Sequence, residues 1–550
     1  MGGVQRRRSL AAVVTGGLLV LASCGGSDDE PSGSADGSTA TSAGAQTTAG
    51  GSSATTGGGG ATTAPAEDID DSKELRIGAN IAAQAGPFFD PAAYNGNPNA
   101  QTYVNLMYDS LIHETAEGHE PGLALEWMAP DASTVEITLR PDVTFSDGTP
   151  FDAEAVKAAW ERMLAGGNTT IPGYIRSIET IEVLDDLKLR VSFSANSAGQ
   201  FINNGMTYSH YGLGIPSPAD TAPVGEARIG AGPYLFESST NESITLVRNE
   251  DYWDRDNYHF AKITFRQVAS GAPVVTALAS DTVDIAHIGP TLVDGATQQN
   301  LQIISEPSGA NNGFVFCRTR PPFDNLEVRR AVVSSLDRDA INEGAYSGLA
   351  DPNPLILATS HPHYDEALAG TVQDSVSDPA GVIKAAGLEG AKVLVLHPTA
   401  RGEDPLVAQI VQAELQDLGL EVELVAGADT IADIERLSPD MAASATPVAS
   451  VALMLETEGI LNPCADEVAL PVLDALKAAQ DPSLDAAASK EAWEEYQRLG
   501  WEVAPLMPMV TVPNIFAATT ALKGVEENGV TNISSPLGGL HLEGVYLADD

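Results

Sequence analysis

Hydrophobic and polar positions alternate in Glu74–Ala79 (ELRIGA) and again through residues 134–140 (TVEITLR), the period of a half-buried β-strand. Residues 99–111 instead carry apolar side chains at helical spacing, through Val104, Met107, Tyr108 and Leu111. After the turn-forming run Ser146-Asp147-Gly148-Thr149-Pro150, a helix is expected to begin at Asp152, a favoured N-cap type. It aligns Val156, Trp160, Met163 and Leu164 on one face. Two hairpins are predicted, one pairing 181–184 with 187–193 around Asp185-Asp186, the other pairing 232–236 with 242–247. Further on, the pattern predicts strands at 314–317, 392–396 and 421–425 and helices at 326–345 and 405–418. No repeat period is present, so the body is a mixed α/β or α+β arrangement in at least two lobes.

The composition narrows the function classes. The 550 residues hold 29 Lys+Arg against 75 Asp+Glu, a net charge of −46. That excludes non-specific nucleic-acid binding, because a phosphate backbone is held by a net-positive surface. A hydrophobic content of 43% with mean hydropathy −0.04 is that of a globular chain rather than a disordered or multi-span membrane one. Only 3 Cys exclude a disulfide-stapled scaffold and a thiolate zinc cluster. The charge itself reads as a solvated surface that resists association, which suits a monomer.

The first residues read as an address. Arg6, Arg7 and Arg8 form a basic region, and residues 9–21 supply an apolar stretch too short to cross about 30 Å of hydrocarbon permanently. Leu21-Ala22-Ser23-Cys24 resembles the bacterial lipobox, which implies a signal peptide over 1–23, cleavage before Cys24, and diacylglycerol on its thiol. Arg7-Arg8-Ser9-Leu10 also resembles a twin-arginine signal, so either export route fits. From 25 to about 66 the chain collapses to Gly, Ser, Thr and Ala, with little apolar surface to offset the entropy of ordering. Residues 24–72 are therefore expected to be a lipid-anchored tether, with a root-mean-square reach of about 35 Å for a flexible coil of that length.

Four separated segments resemble the extracytoplasmic solute-binding proteins of family 5, the oligopeptide- and dipeptide-binding class that serves ATP-driven (ABC) importers. They are Leu123-Ala124-Leu125-Glu126-Trp127 with the run from Phe145 to Val156; Gly230-Ala231-Gly232-Pro233-Tyr234 with Arg248-Asn249-Glu250-Asp251-Tyr252-Trp253; the run from Ala277 to Ala286; and Pro321-Pro322-Phe323-Asp324-Asn325 with Val328-Arg329-Arg330-Ala331-Val332 and Leu336-Asp337-Arg338-Asp339-Ala340-Ile341. Their order and spacing agree over about residues 74–550. The residues themselves have structural readings: Asp147-Gly148 as a turn, Trp127, Trp160, Tyr234, Tyr252 and Trp253 as core aromatics, and Arg329, Arg330 and Arg338 as ion-paired cations.

The resemblance implies an α/β, two-lobed periplasmic-binding-protein-like class II (cluster C) fold with mixed sheets and a hinge between the lobes. On that basis lobe 1 is expected over 73–268, with 98–177 as its extra subdomain, lobe 2 over 269–514, and a return to lobe 1 over 515–550. It implies a receptor that closes around a small solute and delivers it to a permease and ATPase, with no cofactor and no covalent chemistry. Family contact positions carried onto this chain give Ala83, Gln84 and Gly86 after the first strand, Asn311 and Asn312 before the Pro-Pro-Phe motif, Thr446, Val448 and Ser450 in a lobe-two loop, and Met507 and Met509 on a late strand. Peptide binders of this class place an aromatic residue and then an acid in that lobe-two loop, to pair with the peptide ammonium. Here residues 444–450 read SATPVAS, with Asp440 and Glu456 as the acids that a shift of register would bring in. The sequence therefore points to a ligand with little positive charge at that end.

Other chemistry is sparse. His361-Pro362-His363 with Tyr364 and Asp365 lacks the remaining ligands of a metal site and reads as structural. Cys317 and Cys464 are the thiols left after lipidation; an exported protein can oxidise them, and the sequence leaves open whether they meet. No nucleophile elbow, phosphate loop, dinucleotide fingerprint or zinc-protease helix occurs. A lipid-anchored hydrolase using paired acids and a non-transporting surface sensor are the competing readings.

Overall fold

The alternation at Glu74–Ala79 builds the centre of the first lobe. Leu75 and Ile77 turn one way into the core, and the strand pairs in parallel with Lys262–Gln267 on one side and Ile285–His287 on the other. On the opposite face the Arg76 guanidinium forks onto Asp284, with its Nε 3.0 Å from Oδ2. The computed structural model describes residues 69–548 except 82–88, 92–97, 116–117, 167–170, 172, 208–213, 221, 223–228, 307–308, 399–403, 428–429, 448–450, 452–453, 457–460, 465 and 526–541. The expected leader, Cys24, nearly all of the tether, Ala83, Gln84, Gly86, Val448 and Ser450 lie outside the described residues.

The sheet of the first lobe has seven strands, in the order Gln302–Glu306, Asn514–Ala518, Ile285–His287, Glu74–Ala79, Lys262–Gln267, Ser243–Arg248 and Tyr234–Ser239. A four-stranded antiparallel sheet adjoins it: Ala124–Asp131, Thr134–Leu139, Lys188–Phe193 and Ile178–Asp185. Its companion helix, Ala153–Ala165, starts where the sequence predicts, because the Asp152 carboxylate accepts the Ala155 N–H at 2.9 Å. Val156, Ala159, Trp160 and Met163 bury its inner face. Asp147-Gly148 is a turn: Gly148 has φ +80°, and Asp147 accepts the Thr149 N–H at 2.9 Å and the Ser217 hydroxyl at 2.9 Å.

The second lobe is a six-stranded mixed sheet, ordered Asp351–Pro352, Leu506–Thr511, Ala310–Phe316, Met441–Pro447, Lys392–Pro398 and Glu421–Gly427. Its core joins Phe314, Phe316, Val332, Tyr346, Val395, Met441 and Val510. Among the described residues the chain passes between the two large sheets at 306–310 and again at 511–514. The first passage corrects the boundary expected at 268/269, since Ile285–His287 and Gln302–Glu306 hydrogen-bond within the first lobe's sheet. The four-stranded sheet likewise runs to Phe193, beyond the expected subdomain limit of 177.

The helix expected over 326–345 is two helices, Leu326–Ser335 and Arg338–Tyr346. Leu336 is extended, and the Asp337 carboxylate caps a new start by accepting the Ala340 N–H at 2.9 Å. Arg329 and Arg338 also differ from expectation, because they bind carbonyls rather than acids. Arg329 donates to Phe323, Val503 and Ala504 oxygens, which caps the C-terminal end of Ala486–Val503 where the helix dipole is negative. Arg338 donates to Val333, Leu336 and Pro508 oxygens. Burial pulls both guanidinium groups down to about 10. Arg330 does face an acid, Glu327 at 3.6 Å.

Cys317 and Cys464 are bonded, 147 residues apart in the chain. The next residue, Arg318, is buried against Asp466 at 3.0 Å and also donates to the Pro505 and Met454 carbonyls. Breaking one side of such a buried pair costs about 3–5 kcal/mol, so covalent and ionic ties together clamp Cys464 and Asp466 to the end of the strand Ala310–Phe316.

The Arg-Asn-x-x-Tyr-Trp motif closes on one buried carboxylate. Asp109 accepts from Tyr252 Oη at 2.7 Å, Trp253 Nε1 at 3.0 Å and the Ser110 N–H at 2.6 Å, and stands 2.9 Å from His113 Nε2. Burial alone would lower the His113 imidazolium, but the Asp109 charge outweighs it, helped by Glu543 and Asp254, and the net shift is upward. A raised folded-state value gives stability that is full below about pH 6.5, the unfolded value, and is lost as pH rises through the folded one. The thermal midpoint of the wild type minus that of His113→Gln is therefore expected to be largest near pH 6 and to shrink towards pH 9. A difference independent of pH would contradict the charged pair.

Candidate functional site

The two passages between lobes are pinned to each other at their second-lobe ends. Asn311 is the second residue of one strand and Thr511 ends the other, and they are register partners. Thr511 Oγ1 donates to Asn311 Oδ1 at 2.7 Å, and Asn353 Nδ2 donates to the same oxygen at 2.7 Å. Asn311 Nδ2 donates to the Leu355 carbonyl at 3.0 Å, while Tyr364 donates to Asn353 Oδ1 at 3.0 Å. A bulge follows at Asn312/Gly313, where glycine is required because a Cβ would stand 2.5 Å from the Met507 carbonyl.

These contacts show where the fold places the described residues carried over from the resemblance. Asn311 is 1% exposed, with its amide turned to Leu355, Asn353 and Thr511. Asn312 donates to Tyr346 Oη at 2.9 Å. Met507 and Met509 are buried in the second-lobe core. The physical reason is that Ala310–Phe316 and Leu506–Thr511 are covered on both faces, so every position on them is interior. Thr446 lies opposite Asn311 in the neighbouring strand.

The lobes also meet away from the crossings. Arg176, in the first lobe, lies 3.1 Å from the Glu456 carboxylate of the second. Burial pushes Glu456 up, with Arg176 opposing. Leu461, beside the disulfide, packs against the cores of both lobes. Gly199 of the first lobe stands directly against the Gln480 carbonyl and Pro482 of the second. The other acid near the lobe-two strand, Asp440, is held by Arg320 at 2.7 Å and accepts the Leu394 N–H at 2.8 Å.

Beside the Gly199 contact opens a crevice of about 1230 Å³ lined from both sides. Ala132, Ala195 and Asn196 supply the first lobe; Asp474, Lys477, Asp481, Glu491, Glu495 and Arg498 are among the second-lobe groups. Of the residues carried over from the resemblance, none of the described ones lines it. Several of its charges already have work within the lobe: Arg498 pairs with Glu495, and Asp481 accepts the Ser483 N–H at 2.9 Å. The crevice is thus a groove between the lobes, and Asn311, Asn353 and Thr511 are not among its lining residues.

The histidine pair is structural. His361 lies over Trp493 with ring centres 4.4 Å apart, and burial, reinforced by His363, holds it down at about 4. His363 stacks on the same indole, and its carbonyl accepts from Gln497 at 2.8 Å. Among the described residues no group of three or more His, Cys, Asp or Glu side chains could hold a metal ion. Arg176, Gly199 and Gln480 were invisible to sequence reasoning, because each acquires its meaning from a partner in the other lobe; Glu456 was named there only as an acid that a shift of register would bring in.

Comparison with known proteins agrees with this architecture. The chain is 25% identical over 375 residues to di/tripeptide-binding protein 1 of Pseudomonas aeruginosa, covering 61% of this chain and 69% of that one. It is 26% identical over 378 residues to a glutathione-binding protein of Pectobacterium atrosepticum, covering 63% and 68%. The fold matches that of the periplasmic binding protein AgaA from A. tumefaciens R10, solved with agropinic acid, at TM-score 0.71 and 21% identity, over 87% of this chain and 99% of that one. The model of the bacterial extracellular solute-binding proteins, family 5 Middle, matches residues 119–449. Two separately cored sheets, two strand crossings and that match together make the chain a member of the family 5 bacterial extracellular solute-binding proteins.

Proposed function

We propose that this protein is the lipid-anchored receptor of an ABC importer, which captures a small peptide-like or other polar organic solute between its lobes and hands it on unchanged. The observation that carries the reading is the pair of lobes, each with its own core, joined through two pinned strands and meeting again at Arg176–Glu456 and Gly199–Gln480. Such a body works by closing: a solute that binds better between apposed lobes than to either alone shifts the population towards the closed form, and no bond need be made or broken. Its partners are the solute, a permease with its ATPase, and the membrane through the acyl chains on Cys24; it acts as a monomer and binds no nucleic acid. The net charge of −46 supports the last two points by self-repulsion and by repulsion of phosphate.

The solute carries little positive charge where it meets the second lobe. What supports this is the strand Met441–Pro447, which has no carboxylate, together with the engagement of Asp440 by Arg320 and of Glu456 by Arg176. A buried ammonium there would lack the partner it needs.

Two experiments test this reading. In cells fed an alkyne fatty acid, the wild type is expected to take up label and stay with the membrane, whereas Cys24→Ala takes up none; equal labelling of both would remove the anchor. In a thermal-shift and calorimetric panel of free and N-acetylated dipeptides with non-peptide solutes, acetylation is expected to change affinity by less than about threefold, under 1 kcal/mol. Tight binding that acetylation abolishes would refute the proposed ligand class.

A further inference from the structure

Gly199 lies in the short helical turn Ala198–Gln200, and its backbone is not in the left-handed region, so nothing about its own conformation calls for glycine. In that setting alanine is the better residue, because glycine loses more freedom on ordering and adds no packing. The demand comes from the other lobe. A Cβ built on Gly199 would fall inside the Gln480 carbonyl and reach Pro482 Cδ at 3.1 Å. Gln480 closes the helix Leu470–Ala479, with its N–H bonded to the Leu476 and Ala478 carbonyls, so the obstructing oxygen belongs to anchored backbone and has no rotamer by which to withdraw. Gly173 shows a softer version of the same arrangement, since its Cβ would meet the Glu456 carboxylate, the far end of a side chain that can turn away.

We propose that Gly199 is a closure gauge: its missing side chain sets how closely the lobes approach, and a side chain there holds them apart. The inference rests on the solute-receptor reading for its biological use, though not for its geometry. Because the first lobe's own fold does not require glycine at 199, substitution is expected to leave that lobe folded while removing the closed form. Gly173→Ala is expected to act in the same direction and more weakly, since Glu456 can yield where the Gln480 backbone cannot.

The test uses the full-length protein with spin labels on one exposed site in each lobe, read as an interlobe distance distribution. The wild type is expected to contain a short-distance component that Gly199→Ala reduces and Gly199→Val abolishes. Gly370→Ala, where a Cβ meets nothing within 4 Å, should leave the distribution unchanged. The thermal midpoint of Gly199→Ala is expected to equal or exceed that of the wild type. Retention of the short component in Gly199→Val, its absence from the wild type, or loss of folding in Gly199→Ala would each overturn the proposal. The distances require no solute, so a chain that binds nothing yet loses its short component on substitution refutes the receptor reading alone. A chain that binds solute with distances unmoved refutes the gauge alone.

Discussion

The hydrogen-bonded knot of Asn311, Asn353 and Thr511 is the constraint on which the two-lobed arrangement depends. It sits where both strands that link the large sheets leave the second lobe, and it is buried, so every polar group in it must be satisfied by another. Asn311 spends its oxygen on Thr511 and Asn353 and its amide on Leu355. The consequence is mechanical: the two passages enter the second lobe as one unit, in a fixed register, and the lobe is carried as a body. Asn311 thus acts as a rivet between the two passages.

The same economy governs charge. A chain with 29 Lys+Arg against 75 acids has few cations to place, and the second lobe uses several internally. Arg329 and Arg338 tie carbonyls at the ends of helices and strands, and Arg318 is committed to Asp466. Arg76 and Arg162 do similar work in the first lobe, on Asp284 and Asp90. The acids then outnumber the cations, as they do among the groups that line the crevice between the lobes. With so few cations, recognition of a guest has to be local rather than a long-range field effect.

How much was legible in the sequence follows the range of the interaction. The strand at Glu74–Ala79, the cap at Asp152 and the turn at Asp147-Gly148 depend on neighbours within a few residues, and they stand where the pattern puts them. The break at 336–337 carried its own signal in Asp337, but the apolar spacing that continued across it hid the stop. The surroundings of the expected site residues were less legible. Resemblance to a family carries contact positions onto Asn311 and Met507, yet it does not say that both faces of their strands are covered. Gly199 was beyond reach altogether, because its conflict is with a carbonyl of the other lobe.

A closing clamshell that returns its guest unaltered is the centre of this account, and native mass spectrometry of the protein freshly isolated from its producing cells tests it most directly. The account predicts a noncovalent adduct of one small solute per chain, released on unfolding and of constant mass through prolonged incubation with the folded protein. A chain that carries no guest and gains none when offered an extract of the growth medium, or a guest whose mass changes on incubation, would contradict it.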